Sequence, residues 1–364
     1  MRGPNEAQLC SPTSPPRCAV TVRIVTSPVL QTFPLGTQWP TLDPFLFVAH
    51  HLDAYPQGDD QLGPKASLAG RTIGQDFSGR DGWNMYHGSV VPGFPQHPHR
   101  GFETVTHVRR GLIDHSDSLG ATARFGHGDT QWLTTGAGVQ HAEMFPLVDP
   151  DHENPLELFQ IWLNLPAADK MVDPYFTMLW NHRTPRHRAT DRTGRVTEIT
   201  VIAGVLEGLQ PASPPPDSWA AKPESDLAIW HINIEADGHW ILPRAPGPET
   251  QRMLYAFDGS TVQIDDDEPL DAGTGAAVRS DTDIPLVAGP EGVQCMLLQG
   301  RPIGEPVAQY GPFVMNTNDE LRQTMADYQS TQFGGWPWPD PAPDHGPTQG
   351  RFALHADGRR EDID

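Results

Sequence analysis

The apolar residues of this chain recur in short runs cut off by glycine and proline turns. Such runs stand at Val20–Val25, Pro44–Val48, Thr197–Ile202, Ala228–Ile234, Arg252–Phe257 and Gln294–Leu298. Each has the length and the Val/Ile/Phe/Trp content of a β-strand. Between residues 110 and 138 the turn signals crowd together as Arg110-Gly111, Leu119-Gly120, Gly126-His127-Gly128-Asp129 and Gly136-Ala137-Gly138. Short strands with Gly turns predict an antiparallel barrel or jelly roll. Leu158–Leu165 is apolar almost throughout, as in a buried strand, and closes a first domain. Residues 316–329 predict a helix capped by Asn or Asp.

The pattern predicts an all-β chain of two tandem barrels with a short C-terminal helix. The first barrel is expected over 21–166, a linker over 167–192 and the second barrel over 193–310. Residues 311–330 form a C-terminal segment. Residues 1–20, rich in Pro and Ser, are expected to be disordered. Residues 331–364, with Pro337, Pro339, Pro341, Pro343 and Pro347, are expected to be a poorly ordered tail. Residues 55–80 and the Pro-rich 209–224 read as surface excursions. A faint repeat aligns Gly138-Val139-Gln140-His141-Ala142-Glu143 with Gly292-Val293-Gln294-Cys295-Met296-Leu297. On that alignment the second barrel puts Cys295 and Leu297 where the first has His141 and Glu143, and it is expected to bind no metal.

A length of 364 residues suffices for two domains. The net charge is −21, and only Lys65, Lys170 and Lys222 are lysines, so direct binding to a phosphate backbone is not expected. Three cysteines, two of them in the Pro/Ser-rich start, make no disulfide framework; Cys295 reads as a core residue. No apolar run approaches the ~18–20 residues that span a bilayer, and Met1–Asn5 does not open a secretory signal. A cytoplasmic monomer away from membranes is the expectation.

Chemistry concentrates in His97-Pro98-His99-Arg100-Gly101-Phe102-Glu103, answered by His141-Ala142-Glu143. Residues two apart on a strand share a face, so each pair points one way. If the two strands face each other, three imidazoles and a carboxylate converge, a donor set for Fe, Mn, Co, Ni, Cu or Zn. Glu103 shares strand parity with His97 and His99, so geometry leaves it open as the carboxylate. Four protein ligands leave octahedral positions for water, substrate or O2, as in catalytic sites. His107 reads as core or rim, and His115 and His127 as surface. Trp132, Met144, Phe45, Phe47 and Trp83 could wall a planar pocket or serve as core.

HPHRGFETVTHV (97–108), GDTQWLTTGAGVQHAEM (128–144), IWLNLPAADKM (161–171) and GPFVMNTNDEL (311–321) together make the chain resemble the pirins, bicupin members of the cupin superfamily. The resemblance covers most of residues 20–330. It implies tandem cupin barrels, with Fe(II) in the first held by His97, His99, His141 and Glu143. It favours Glu143 over Glu103, which is left a possible partner orienting a ligand histidine. It also implies that the C-terminal segment packs back on the first barrel. The activity it implies is of quercetin 2,3-dioxygenase type, cleaving a flavonol-like substrate with O2, with Glu143 as ligand and base. The alternative it implies is an iron-bound redox-sensing regulator that binds partner proteins without turnover.

Overall fold

The computed structural model describes residues 27–364. The expected disordered start and the strand at residues 20–25 lie outside the described residues. The chain opens with β1 (Val29–Pro34), β2 (Gln38–Trp39) and β3 (Phe45–Tyr55). After a loop follow β4 (Gly93–His99), β5 (Phe102–Arg110), β6 (Leu112–Asp117), β7 (Thr122–Gly126), β8 (Asp129–Thr134), β9 (Val139–Met144) and β10 (Asn154–Asn164). Next come β11 (Tyr175–Leu179), β12 (Arg186–Thr190), β13 (Val196–Ala203), β14 (Ala228–Ile234) and β15 (His239–Leu242). Then β16 (Gln251–Gly259), β17 (Thr261–Ile264), β18 (Leu270–Asp271), β19 (Thr274–Val278), β20 (Ile284–Ala288) and β21 (Val293–Gly300) complete a second set. The hairpin β22 (Ala308–Tyr310) and β23 (Phe313–Met315) leads to the helix α1 (Asn318–Thr331), and β24 (Phe352–Leu354) and β25 (Arg360–Asp362) end the chain.

These strands make two jelly rolls of two sheets each. The first has sheets ordered β11-β8-β5-β10-β3-β2 and β25-β24-β7-β6-β9-β4; the second has β1-β19-β16-β21-β14-β13-β12 and β15-β20-β17-β18. The larger sheets pack back to back. Val48, Val105, Trp132, Phe159, Ile161, Ile229, Met253, Met296 and Leu298 form the core between them. This explains the continuous apolar runs. In β21, Cys295 and Leu297 fill the second barrel's interior while Met296 and Leu298 face the first barrel. A strand buried on both faces loses its alternation.

Several expectations need correction. β1 does not lead into the first barrel but pairs with β19 at the edge of the second. Residues 167–192 are no bare linker: β11 extends the first barrel through β8 and β12 extends the second through β13. The helix is capped by Thr317, not Asn or Asp, in a reciprocal box with Glu320. The end of the chain folds too: β24 adds to β7, and Phe352 and Ala353 are buried. Its prolines interrupt only the approach to that strand. Among the described residues, no helix is long and apolar enough to cross a membrane.

Candidate metal centre

β4 and β9 pair antiparallel with His97 opposite His141. A bulge between Phe94 and His97 turns the strand where the first histidine enters the interior. The three imidazoles form a triangle, with centroids 4.4 Å apart for His97–His141 and 4.8 Å for His97–His99 and His99–His141. One nitrogen from each lies within 4.8 Å of the others, as a metal site requires. His97 Nδ1 meets the Pro95 carbonyl at 2.8 Å and His99 Nδ1 the Pro312 carbonyl at 3.3 Å. Both contacts put the proton on Nδ1 and turn Nε2 inward as an acceptor. His99 Nε2 and both His141 nitrogens are buried without a hydrogen-bond partner. Orphaned buried nitrogens cost stability unless something else satisfies them.

Burial lowers the basicity of all three rings, His97 to about 4 and His99 and His141 well below the usual histidine value. They are therefore neutral at pH 7, the form that binds a metal. Glu143 follows on the same face of β9, its Oε2 3.7 Å from His141 Nε2. Gln160 Nε2 donates to Oε2 at 2.7 Å and Thr106 Oγ1 to Oε1 at 3.4 Å. Burial raises the Glu143 carboxyl above its ordinary value, against those two hydrogen bonds and neighbouring His115. The three nitrogens suit a divalent transition metal, and the Glu143 carboxylate lies beside His141 without joining the group of mutually close ligand atoms.

Glu103 is elsewhere. Gly101, at φ +85°, makes a tight turn in which a Cβ would lie 2.0 Å from the Val314 carbonyl oxygen. β4 ends before this turn and β5 begins after it, so parity does not carry over. The Glu103 carboxylate accepts from Thr134 Oγ1 and Ser218 Oγ, both at 2.6 Å. Ser218 belongs to the Pro-rich excursion from the second barrel. Glu103 orients no histidine of the triangle. The same turn is pinned by Lys170, whose Nζ donates to Gly101 O at 2.7 Å, Asn164 Oδ1 at 2.6 Å and Val314 O at 3.3 Å.

Sequence reasoning missed His115, placed above on the surface. It is fully buried opposite Glu143 on β6, its ring 5.6 Å from His141 and its Nε2 3.3 Å from Asp117 Oδ2. Gln160 and Thr106 were also missed; their inward parity within apolar strands was the available signal. Trp162 flanks His99 at 5.3 Å, with Phe102 stacked on it at 4.0 Å and Phe47 tilted against it at 4.4 Å. Trp132 is interbarrel core, and Met144 packs with Leu62 and Val91. His107 is core, its Nδ1 2.8 Å from Thr130 Oγ1, and His127 is exposed in a turn. Cavities of about 630, 430 and 400 Å3 lie away from the triangle.

Over 241 residues the chain is 35% identical to a Pseudomonas aeruginosa protein named "Putative quercetin 2,3-dioxygenase", covering 66% of this chain and 79% of the relative. Human pirin is 30% identical over 256 residues, covering 69% of this chain and 81% of pirin. The fold resembles that of the solved quercetin 2,3-dioxygenase from Acinetobacter baumannii, with a TM-score of 0.67 at 24% identity, over 84% of this chain and 98% of the other. Residues 27–163 match the pirin family and residues 229–334 the pirin C-terminal cupin domain, and the chain belongs to the pirin family.

Proposed function

We propose that this pirin is an iron-dependent dioxygenase that opens a flavonol or similar enol with O2 and releases carbon monoxide. His97, His99, His141 and Glu143 would hold the metal. The observation that carries the reading is the triangle of neutral imidazoles, with His99 Nε2 and both His141 nitrogens buried without partners. The printed name of the P. aeruginosa relative supplies the substrate class. A bound iron would supply Lewis acidity and one-electron chemistry toward O2. The protein's part is positional. Pro95 and Pro312 fix two ring orientations, Gln160 and Thr106 fix Glu143, and Trp162 with Phe102 excludes water beside His99. Glu143 would also take the proton of the substrate enol.

The test is carbon monoxide release and loss of flavonol absorbance under air with iron-replete protein. Both are expected to vanish without oxygen, after chelation and in His99→Ala. Wild type performing no better than His99→Ala overturns the enzyme reading. A second reading is an iron-bound redox-sensing regulator that acts by binding partner proteins without turnover. Full iron occupancy with no carbon monoxide release would leave that one standing.

A further inference from the structure

The cavity of about 630 Å3 opens at the mouth of the second barrel, where β13 and β15 end and β14 and β16 begin. This is the end of the barrel that in the first holds His99. Its size suits a small organic ligand, for which pockets of about 300–1,000 Å3 are usual. Trp132, Trp230, Leu206 and Leu227 supply apolar wall, and Arg252 and Gln299 a polar floor. Arg252 is only 1% exposed. Its Nε and Nη2 both donate to Gln299 Oε1, and Gln299 is anchored in turn on the Asp226 carbonyl at 3.1 Å. Arg252 Nη1 has no partner. A buried guanidinium N–H left unmade is costly. Asp226, the nearest acid, is already engaged: its Oδ2 accepts from Gly247 N at 3.0 Å and from Thr250 Oγ1.

We propose that the mouth of the second barrel binds a small organic acid with a flat or apolar body, whose carboxylate is received by Arg252 Nη1. Lys222 and Arg244 also line the cavity, but Lys222 is already paired with Asp169 at 2.6 Å; Arg252 Nη1 is the buried cationic donor without a partner, and Asp226 and Glu207 on the same lining disfavour the higher charge of a phosphate. Two tryptophans on the wall suit an aromatic body. The fold then carries two pockets of different chemistry: donor atoms for a cation in the first barrel, a donor for an anion in the second.

Calorimetric titration of the full-length chain with phenylacetate, against neutral phenylacetamide, tests this. One saturable site for the acid and none for the amide is expected. Arg252→Met is expected to weaken the acid about tenfold or more, the scale of one hydrogen bond to a charged group. Because Arg252 is buried and its loss could unfold the barrel, Ala221→Trp is the second variant; Ala221 lies on the exposed rim, and the indole fills the cavity from outside. It is expected to abolish binding in a folded protein. Binding must also survive in His99→Ala, which separates this site from the first barrel. No saturation at about 10 mM acid, equal binding of the amide, retention in Ala221→Trp or loss in His99→Ala would each overturn the proposal.

Discussion

In the first barrel the paired strands β4 and β9 turn His97, His99, His141 and Glu143 inward; in the second, the strands in the same place, β15 and β20, turn in Trp240, Leu242, Ile284 and Leu286. The sheet order around them is the same, β4-β9-β6-β7 against β15-β20-β17-β18. The larger sheets correspond as well, β10 between β3 and β5 matching β21 between β14 and β16. The strand order thus survives an exchange of interior chemistry. What both barrels keep is the shared apolar seam between their large sheets, and the strands can hold that seam whatever their inner faces carry. The inner faces are then free to differ. In the second barrel they contribute about 1.5–3 kcal/mol per buried large side chain. In the first, each unpartnered nitrogen costs about 1–3 kcal/mol until a ligand meets it.

The largest effect should be on metal content. Wild type is expected to hold one equivalent of transition metal, and His97→Ala and His141→Ala close to none, by elemental analysis after reconstitution with iron. Glu143→Gln should weaken binding more than Glu103→Gln. A second equivalent in wild type, or a full equivalent in both alanine variants, would erase the contrast between the barrels.

Stability of the metal-free protein sharpens it. Leu286→Ala should lose about 2–5 kcal/mol, as for a large side chain deleted from a packed core. His141→Leu should lose nothing and can gain, because it replaces a buried ring with two orphaned nitrogens. Urea unfolding of both variants without metal decides. If His141→Leu is as damaging as Leu286→Ala, the first interior is an ordinary core and the reading of its histidines as waiting for a ligand fails.

The inward pairs of the first barrel were legible because strand parity is local: His97 with His99 and His141 with Glu143 need no knowledge of the rest of the chain. So were the strand runs and the division into two barrels. What depends on distant chain was not legible. Glu103 shares parity with His97 only if the strand continues, and Gly101 ends it. His115 looked like turn surface because nothing local shows that β6 lies against β9. The faint repeat was misread: three shared residues matched β9 to β21, whereas β21 occupies the place of β10, and β20 is the counterpart of β9. The second barrel's apolar counterparts therefore lie on β20, among Ile284, Leu286 and Ala288, and not at Cys295 and Leu297. The C-terminal tail looked loose because its strand is short and its partner β7 lies over two hundred residues away.

Glu103 offers a test of intermediate size. Burial raises its carboxyl from an ordinary 4.5 to about 7, the hydrogen bonds from Ser218 and Thr134 only partly offsetting it. Between pH 4.5 and 7 the folded chain holds a proton there that the unfolded chain has released. Stability from this group is therefore fully present below pH 4.5 and declines as pH rises through 7, by on the order of 3 kcal/mol. Glu103→Gln should flatten that decline in urea titrations run up to about pH 8, with metal content unchanged. An identical slope in the variant would show that the carboxyl at the barrel-to-barrel contact titrates normally.

The smallest effect concerns the segment that folds back on the first barrel. Arg100, next to His99, reaches Asp327 of α1 at 2.7 Å, donates to the Ala137 carbonyl at 2.7 Å and stacks 4.5 Å from the Phe333 ring. Arg100, with help from Gln323, holds the Asp327 carboxyl below its usual range. A carboxyl lowered in this way stabilises above its unfolded pKa, and that stability is lost as pH falls through the folded value. Asp327 is a third exposed, so solvent screens the pair, and Asp327→Asn should cost about 0.2–1 kcal/mol at neutral pH. The difference from wild type should shrink in high salt and disappear in strong acid. It should also be local. Amide exchange should quicken in α1 and around Val314, whose N–H bonds to the Arg100 carbonyl at 3.0 Å, and leave β14 to β21 unchanged. Faster exchange across both barrels would mean that this clamp holds the whole molecule together.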